Sequence, residues 1–207
     1  MLETMLERMG KKSTDPRQEM IFLLYGRSVQ RFHTVPMLHG VTLAQHQFGV
    51  AWFCYLLTKG SCSVDLLMAA LSHDMAEQVW SDVSAPAKRA LEIGDLLDKN
   101  ENKTLAENNM LFTLTLGQKF VLKLADCMEG MLSCIHERRL GNRYAEAPYE
   151  RFHSYVAELV RNVSSYDSLH QRCNELVAAL DVLWKETLIA PKTGQIPPLA
   201  RSTAPFV

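Results

Sequence analysis

Long apolar runs, a large excess of either charge and CxxC cysteine pairs are all missing from this sequence. No stretch approaches the roughly 18 to 20 uninterrupted apolar residues of a membrane span, and Met1 to Lys12 carries too many charges for a secretory leader. Lys and Arg number 22 against 23 Asp and Glu, a formal charge of -1. That balance removes the broad field by which a nucleic-acid-coating protein or an anionic-membrane binder attracts its partner. The five cysteines, Cys54, Cys62, Cys127, Cys134 and Cys173, include no CxxC pair. Most lie within helical patterns, where a free thiol acts as a small apolar group, so no structural zinc and a reducing compartment are expected. There is no internal repeat, and in such a compartment the sequon Asn162-Val163-Ser164 is idle.

What is present is an ordinary globular composition, 47% hydrophobic and 22% charged over 207 residues, enough for one domain with a real core. The expectation is one domain over residues 1–190 and a proline-rich, aperiodic tail over 191–207.

Helical periodicity runs through the chain. Asp15-Pro16 starts a helix to about Ser28. Arg31 to Val41, with Pro36 and Gly40, reads as a loop carrying Arg31, Phe32, His33 and Thr34. Thr42 and Gln45 form a capping box, and Gly60 ends the helix that follows. His46 recurs with Val50, Phe53 and Leu57 and so points inward. A helix from Ser63 places Leu66, Ala70, His73, Glu77 and Trp80 on one stripe, with Asp74 about 100° round from His73. Ser84-Ala85-Pro86 opens the next helix, towards Leu97, and Asn100 to Lys103 reads as a polar break. Gln118 to Leu140 is helical with Asp126 beside its apolar face. Helices near Pro148 to Arg161 and Ser168 to Leu188 complete an all-α plan. The last repeats Leu169, Cys173, Leu176, Leu180, Leu183 and Trp184, a stripe for core or partner packing.

His46, His73-Asp74 and Asp126, in that order, supply two imidazoles and two carboxylates. Such a nitrogen and oxygen set fits a divalent ion in roughly octahedral geometry with positions left for water and a phosphate oxygen. Glu77 is then placed to move a proton or position a nucleophile, and Arg31, Lys88 and Lys123 are the nearest cations for phosphate. Taken singly, each residue has a plainer reading. His46 alone fits a satisfied core histidine, Asp126 a solvated stripe with Lys123 and Glu129, Asp82 a turn residue, Phe32 a packing aromatic, and the lysines solvated surface. Their joint order favours the site.

The runs Arg31-Phe32-His33-Thr34-Val35-Pro36, Ala44-Gln45-His46-Gln47, Leu71-Ser72-His73-Asp74-Met75-Ala76-Glu77, Ser81-Asp82-Val83-Ser84-Ala85-Pro86-Ala87-Lys88 and Lys123-Leu124-Ala125-Asp126 resemble the HD-domain phosphohydrolases. The resemblance is to the YfbR-type 5'-deoxynucleotidases and the phage DatZ-type dATP triphosphohydrolases. It implies a compact HD-domain helical bundle and a divalent metal, manganese, cobalt, magnesium or zinc, one or two per site. Metal ligands would be His46, His73, Asp74 and Asp126. Glu77 and Asp82 would serve the water or a second ion; Arg31, Lys88 and Lys123 the phosphates; Phe32, His33 and Thr34 the neighbourhood of the nucleotide. Departures are Gln45 and Gln47 around the histidine, Phe32 for tryptophan, and Ser81 where glycine is usual.

The reaction so implied is hydrolysis of a deoxynucleoside triphosphate, dATP foremost, to deoxynucleoside and triphosphate. Alternatives are a nucleotidase acting on monophosphates and a nucleotide-binding regulator without turnover. The expected partners are a small deoxynucleotide and further copies of the chain, with no nucleic-acid polymer and no membrane. The expected location is the cytoplasm, the host's if the chain is phage-encoded.

Overall fold

The computed structural model describes residues 16–32, 34–161 and 167–188. It is all-α: α1 (Pro16–Gly26), α2 (Leu43–Leu57), α3 (Val64–Ser72), α4 (Glu77–Trp80), α5 (Ala85–Ala90), α6 (Gly94–Glu107), α7 (Leu116–Arg139), a 3-10 turn (Arg143–Ala145), α8 (Glu146–Arg161) and α9 (Asp167–Leu188). The described residues contain no strand, only an isolated antiparallel bridge between Gln30 and Thr42 at the base of the loop after α1. None of their helices is long and apolar enough to cross a membrane. His33, Asp15 and the tail lie outside the described residues.

Helix α7 is the axis of the bundle. From Leu124 to Ile135 it is buried on nearly every side, as a helix with neighbours all round must be, and α2, α8 and α9 pack about it. Gly130 allows α8 to close: a Cβ there would lie 2.6 Å from the Phe152 ring. A smaller core of Phe22, Leu43, Met75, Ala76 and Leu105 joins α1, α2, α4 and α6.

The local signals at α2 are realised. Thr42 and Gln45 form both halves of the capping box, Gly60 is left-handed at φ 85°, and His46, Val50, Phe53 and Leu57 are buried together. Elsewhere the structure differs from the sequence expectations. The stripe from Leu66 to Trp80 is not one helix, because α3 stops at Ser72 and residues 73–76 form a turn. Met75 N–H donates to Ser72 O and Glu77 N–H to Asp74 O, both at 2.9 Å, three-residue bonds that tighten the coil. The Ser72 hydroxyl lies 2.9 Å from both Met68 O and Met110 O, tying this end of α3 to a distant segment.

The helix from Ala85 ends at Ala90, and Glu92 at φ 55° turns the chain before α6. Asn100 to Lys103 is helical within α6, not a break. Its polar residues have partners on other elements: Glu101 faces Lys88 at 3.7 Å, and Thr104, which donates to Asn100 O, accepts from Trp80 Nε1–H at 3.0 Å. The α9 stripe packs against the main core, with Cys173 and Leu180 buried and Leu169, Leu176, Leu183 and Trp184 partly buried. Exposed apolar side chains lie on α1 (Met20, Leu23, Leu24, Tyr25), on α2 (Phe48, Trp52, Tyr55) and on α9 (Val182, Leu188).

Candidate metal centre

His46, His73 and Asp74 bring donor atoms together, and Asp126 stands beside them against His46. His46 comes from the first turn of α2, held by the Thr42 cap. His73 caps the C-terminus of α3, Asp74 follows in the turn, and Asp126 projects from α7. His46 Nε2 lies 3.4 Å from His73 Nε2 and 3.5 Å from Asp74 Oδ2, and His73 Nε2 lies 3.3 Å from Asp74 Oδ2. Asp126 Oδ1 is 3.4 Å from His46 Nε2. Donors about 2.0–2.2 Å from a common ion are separated by about 3.0–3.5 Å when adjacent. The triangle of His46, His73 and Asp74 therefore has the dimensions of one face of a coordination shell, and these residues form a group able to hold a metal ion. The tightened turn is what lets neighbours His73 and Asp74 reach one point.

Each imidazole is oriented from behind. His73 Nδ1 lies 2.9 Å from the Ala70 carbonyl. A carbonyl only accepts, so Nδ1 carries the hydrogen and Nε2 the lone pair. His46 Nδ1 pairs with Glu129 Oε2, and the Ser133 hydroxyl donates to Glu129 Oε1 at 2.7 Å. Gly49 opens the space for this carboxylate, since a Cβ there would lie 2.6 Å from Glu129 Cγ.

Cations surround the carboxylates. Arg31 Nη1 pairs with Asp74 Oδ2 and lies 3.6 Å from Glu77 Oε1. Lys123 Nζ donates to Asp126 Oδ2 at 2.9 Å and lies over the Tyr155 ring. Burial presses both carboxyls towards the neutral form. His73 and Arg31 nevertheless hold Asp74 well below the usual range, and Lys123 and His46 bring Asp126 to about 2. Burial and the Arg31 charge oppose protonation of His46, but hydrogen bonds with Asp74 and Glu129 raise it to about 9. Glu77 goes the other way: burial and the Asp74 charge push it up to about 9 in spite of Arg31. Its Oε2 is buried with no hydrogen-bond partner among the described residues, so Glu77 is a carboxyl that can carry a proton beside the cluster.

The other described candidates are placed as follows. Asp82 is close enough for its charge to act on both Arg31 and Glu77. Lys88 reaches towards α6, where Glu101 faces it. Phe32 takes a left-handed backbone at φ 58° and sets its ring edge-on to Phe152, centroids 6.1 Å apart. Thr34 is exposed on the loop. Two acidic residues near the site carry roles the sequence did not reveal. Glu129, at i+3 from Asp126, reads as part of a charge stripe, though its setting among apolar helix neighbours was a signal. Glu101, in a polar run, offered none.

Comparison with known proteins places the fold. No protein-family model matches the chain, and no curated protein matches it in sequence. Among solved structures it is similar to the cyanophage S-2L HD phosphohydrolase DatZ bound to dA and one catalytic Zn2+ ion, with a TM-score of 0.63 and 16% identity over 84% of this chain and 99% of that chain. It is also similar to an HD-domain phosphohydrolase from Listeria innocua, with a TM-score of 0.60 and 18% identity over the same shares of the two chains. The chain has the all-α HD-domain fold.

Proposed function

We propose that this chain is a metal-dependent phosphohydrolase that cleaves a deoxynucleotide at the phosphorus nearest the sugar. The observation that carries this reading is the triangle of His46 Nε2, His73 Nε2 and Asp74 Oδ2, with edges of 3.3 to 3.5 Å. Two imidazoles and two carboxylates suit zinc, manganese, cobalt or magnesium, and His46, His73, Asp74 and Asp126 would hold the cation. When bound, the ion supplies Lewis-acid polarisation of a phosphoryl group and lowers the pKa of water. The chain's own residues do the rest. Glu77 takes or returns a proton at its carboxyl oxygen, and Asp82 beside it aligns the attacking water or a second ion. Arg31 and Lys123, already against the cluster carboxylates, turn their remaining donors to phosphate oxygens, with Lys88 from α5 as the third cation. By the sequence resemblance, Phe32, His33 and Thr34 would serve the nucleoside end.

The substrate proposed is a deoxynucleoside triphosphate, dATP foremost, released as deoxynucleoside and triphosphate. Support comes from the sequence resemblance, from Arg31 and Lys123 against the cluster carboxylates, and from the similar fold of the dA-bound phage enzyme. A second reading, a nucleotidase for deoxynucleoside monophosphates, is favoured by one feature. Arg31, Lys88 and Lys123 each face a carboxylate of this chain, which offsets charge that two further phosphates would use.

The test is incubation of the purified chain with zinc, manganese, cobalt or magnesium in turn, against a panel of deoxynucleoside mono- and triphosphates. Inorganic triphosphate and deoxynucleoside are expected from dATP; orthophosphate from monophosphates alone selects the second reading. Asp126→Ala should lower turnover at least about a hundredfold and bind less metal. Unchanged turnover and metal content in that variant sink the enzyme reading.

A further inference from the structure

One buried carboxylate touches the centre yet contributes no atom to it. Glu129 lies on α7 one turn beyond Asp126, is 5% exposed, and has both oxygens engaged, one by His46 Nδ1 and one by the Ser133 hydroxyl. A neutral imidazole has a single ring lone pair. The nitrogen facing Glu129 must hold hydrogen, because a carboxylate only accepts. In the neutral form that a metal ligand requires, the lone pair is thereby assigned to Nε2, the atom that faces His73, Asp74 and Asp126. His73 obtains the same tautomer from a neutral carbonyl; His46 obtains it from an anion, which also makes its Nε2 a stronger donor to a cation.

We propose that Glu129 is a positioning residue that fixes the ring and tautomer of His46 and thereby sets the affinity of the centre for a divalent cation, with Ser133 holding the carboxylate in place. This rests on the reading of the cluster as a cation site. A glutamate that served only folding would have no reason to meet the one nitrogen that decides the direction of the His46 lone pair.

The experiment is zinc titration of the metal-stripped full chain against a chromophoric chelator, for wild type, Glu129→Ala, Glu129→Gln and Ser133→Ala. It is paired with 15N-imidazole NMR of the zinc-loaded forms and thermal melts. Glu129→Ala is expected to weaken zinc binding about 10–100-fold and to abolish the low-field Nδ1–H resonance of His46. Glu129→Gln, whose amide oxygen still accepts that hydrogen, should keep the resonance and recover part of the affinity. Ser133→Ala, a small change within a helix, covers the case in which the Glu129 variants do not fold, and should weaken zinc by at least about threefold. Zinc affinity of Glu129→Ala within twofold of wild type overturns the assignment, as does Glu129→Gln binding no better than Glu129→Ala. If the glutamate variants do not fold, an unchanged affinity in Ser133→Ala overturns it. Wild type that binds no zinc overturns the cation-site reading as well, so the two failures are distinguishable.

Discussion

Helix α7 buries two glutamates about two turns apart, and they do different work. Glu129, near the middle, meets side chains of the candidate centre. Glu137, near the end and fully buried, accepts from the backbone N–H of Leu38 at 2.7 Å and of His39 at 2.6 Å, and from Asn142 Nδ2 at 2.6 Å. Asn142 also donates to Pro36 O at 2.7 Å, so this end of α7 pins the loop that begins at Arg31. Residue type, helix and burial are shared, and only the partners differ. A buried carboxylate is therefore no sign of chemistry by itself; the atoms it satisfies decide whether it tunes a site or fastens a chain segment.

Removing the loop anchor gives the largest expected separation. Glu137→Ala leaves two backbone donors and an amide without their acceptor, at a cost of about 2–3 kcal/mol after water replaces part of the loss. The Tm should fall by roughly 5–10 °C, while zinc affinity stays within twofold of wild type. A loss of zinc binding as large as that expected for Glu129→Ala would erase the distinction between the two residues.

A smaller effect should follow acid. Burial works against the Glu137 charge, but the donors from Asn142, Leu38 and His39 prevail and hold its pKa below the ordinary value. A group with a depressed folded pKa contributes stability that is complete above its unfolded pKa and is lost as pH falls through the folded one. Protection of the Leu38 and His39 amides, measured by hydrogen exchange and corrected for intrinsic rates, should be constant above about pH 5 and fall below about pH 4. Protection that rises in acid contradicts the anchor.

The smallest effect tests a position that neither glutamate touches. Ser81 has φ 66° and ψ 157°, a region open essentially to glycine alone, which gives a physical reason for glycine at this place in the resembling enzymes. Ser81→Gly should stabilise the chain by about 1 kcal/mol and raise the Tm by roughly 2–4 °C. Zinc affinity and loop protection should not change; a lower Tm would mean that the turn is unstrained.

Much of this architecture was legible because it is written locally. The Thr42 and Gln45 box, the inward face of His46 and the α7 stripe beside Asp126 are signals contained within a few turns of helix. What was hidden depends on distant partners. Leu71 to Glu77 keeps helical periodicity, yet the coil tightens at His73 where Ser72 is tied to Met110. Asn100 to Lys103 looks like a break until Trp80 and Lys88 arrive from other elements. Glu129 has the spacing of a solvated stripe, and only the approach of α2 brings His46 to it. The order of the candidate donors could be read in sequence, whereas the groups that orient them needed the fold.

Gly49 carries a consequence of a historical kind. The carboxylate arm of Glu129 passes over it with no room for a Cβ, so a side chain at 49 and this arm compete for one space. A lineage that gained alanine at 49 while keeping the glutamate would have to displace the arm that holds His46. The order of substitution is thereby constrained: shortening at 129 must precede or accompany any side chain at 49. Descendants of such a path would orient the histidine by other means, and glycine at 49 would mark those that kept this one.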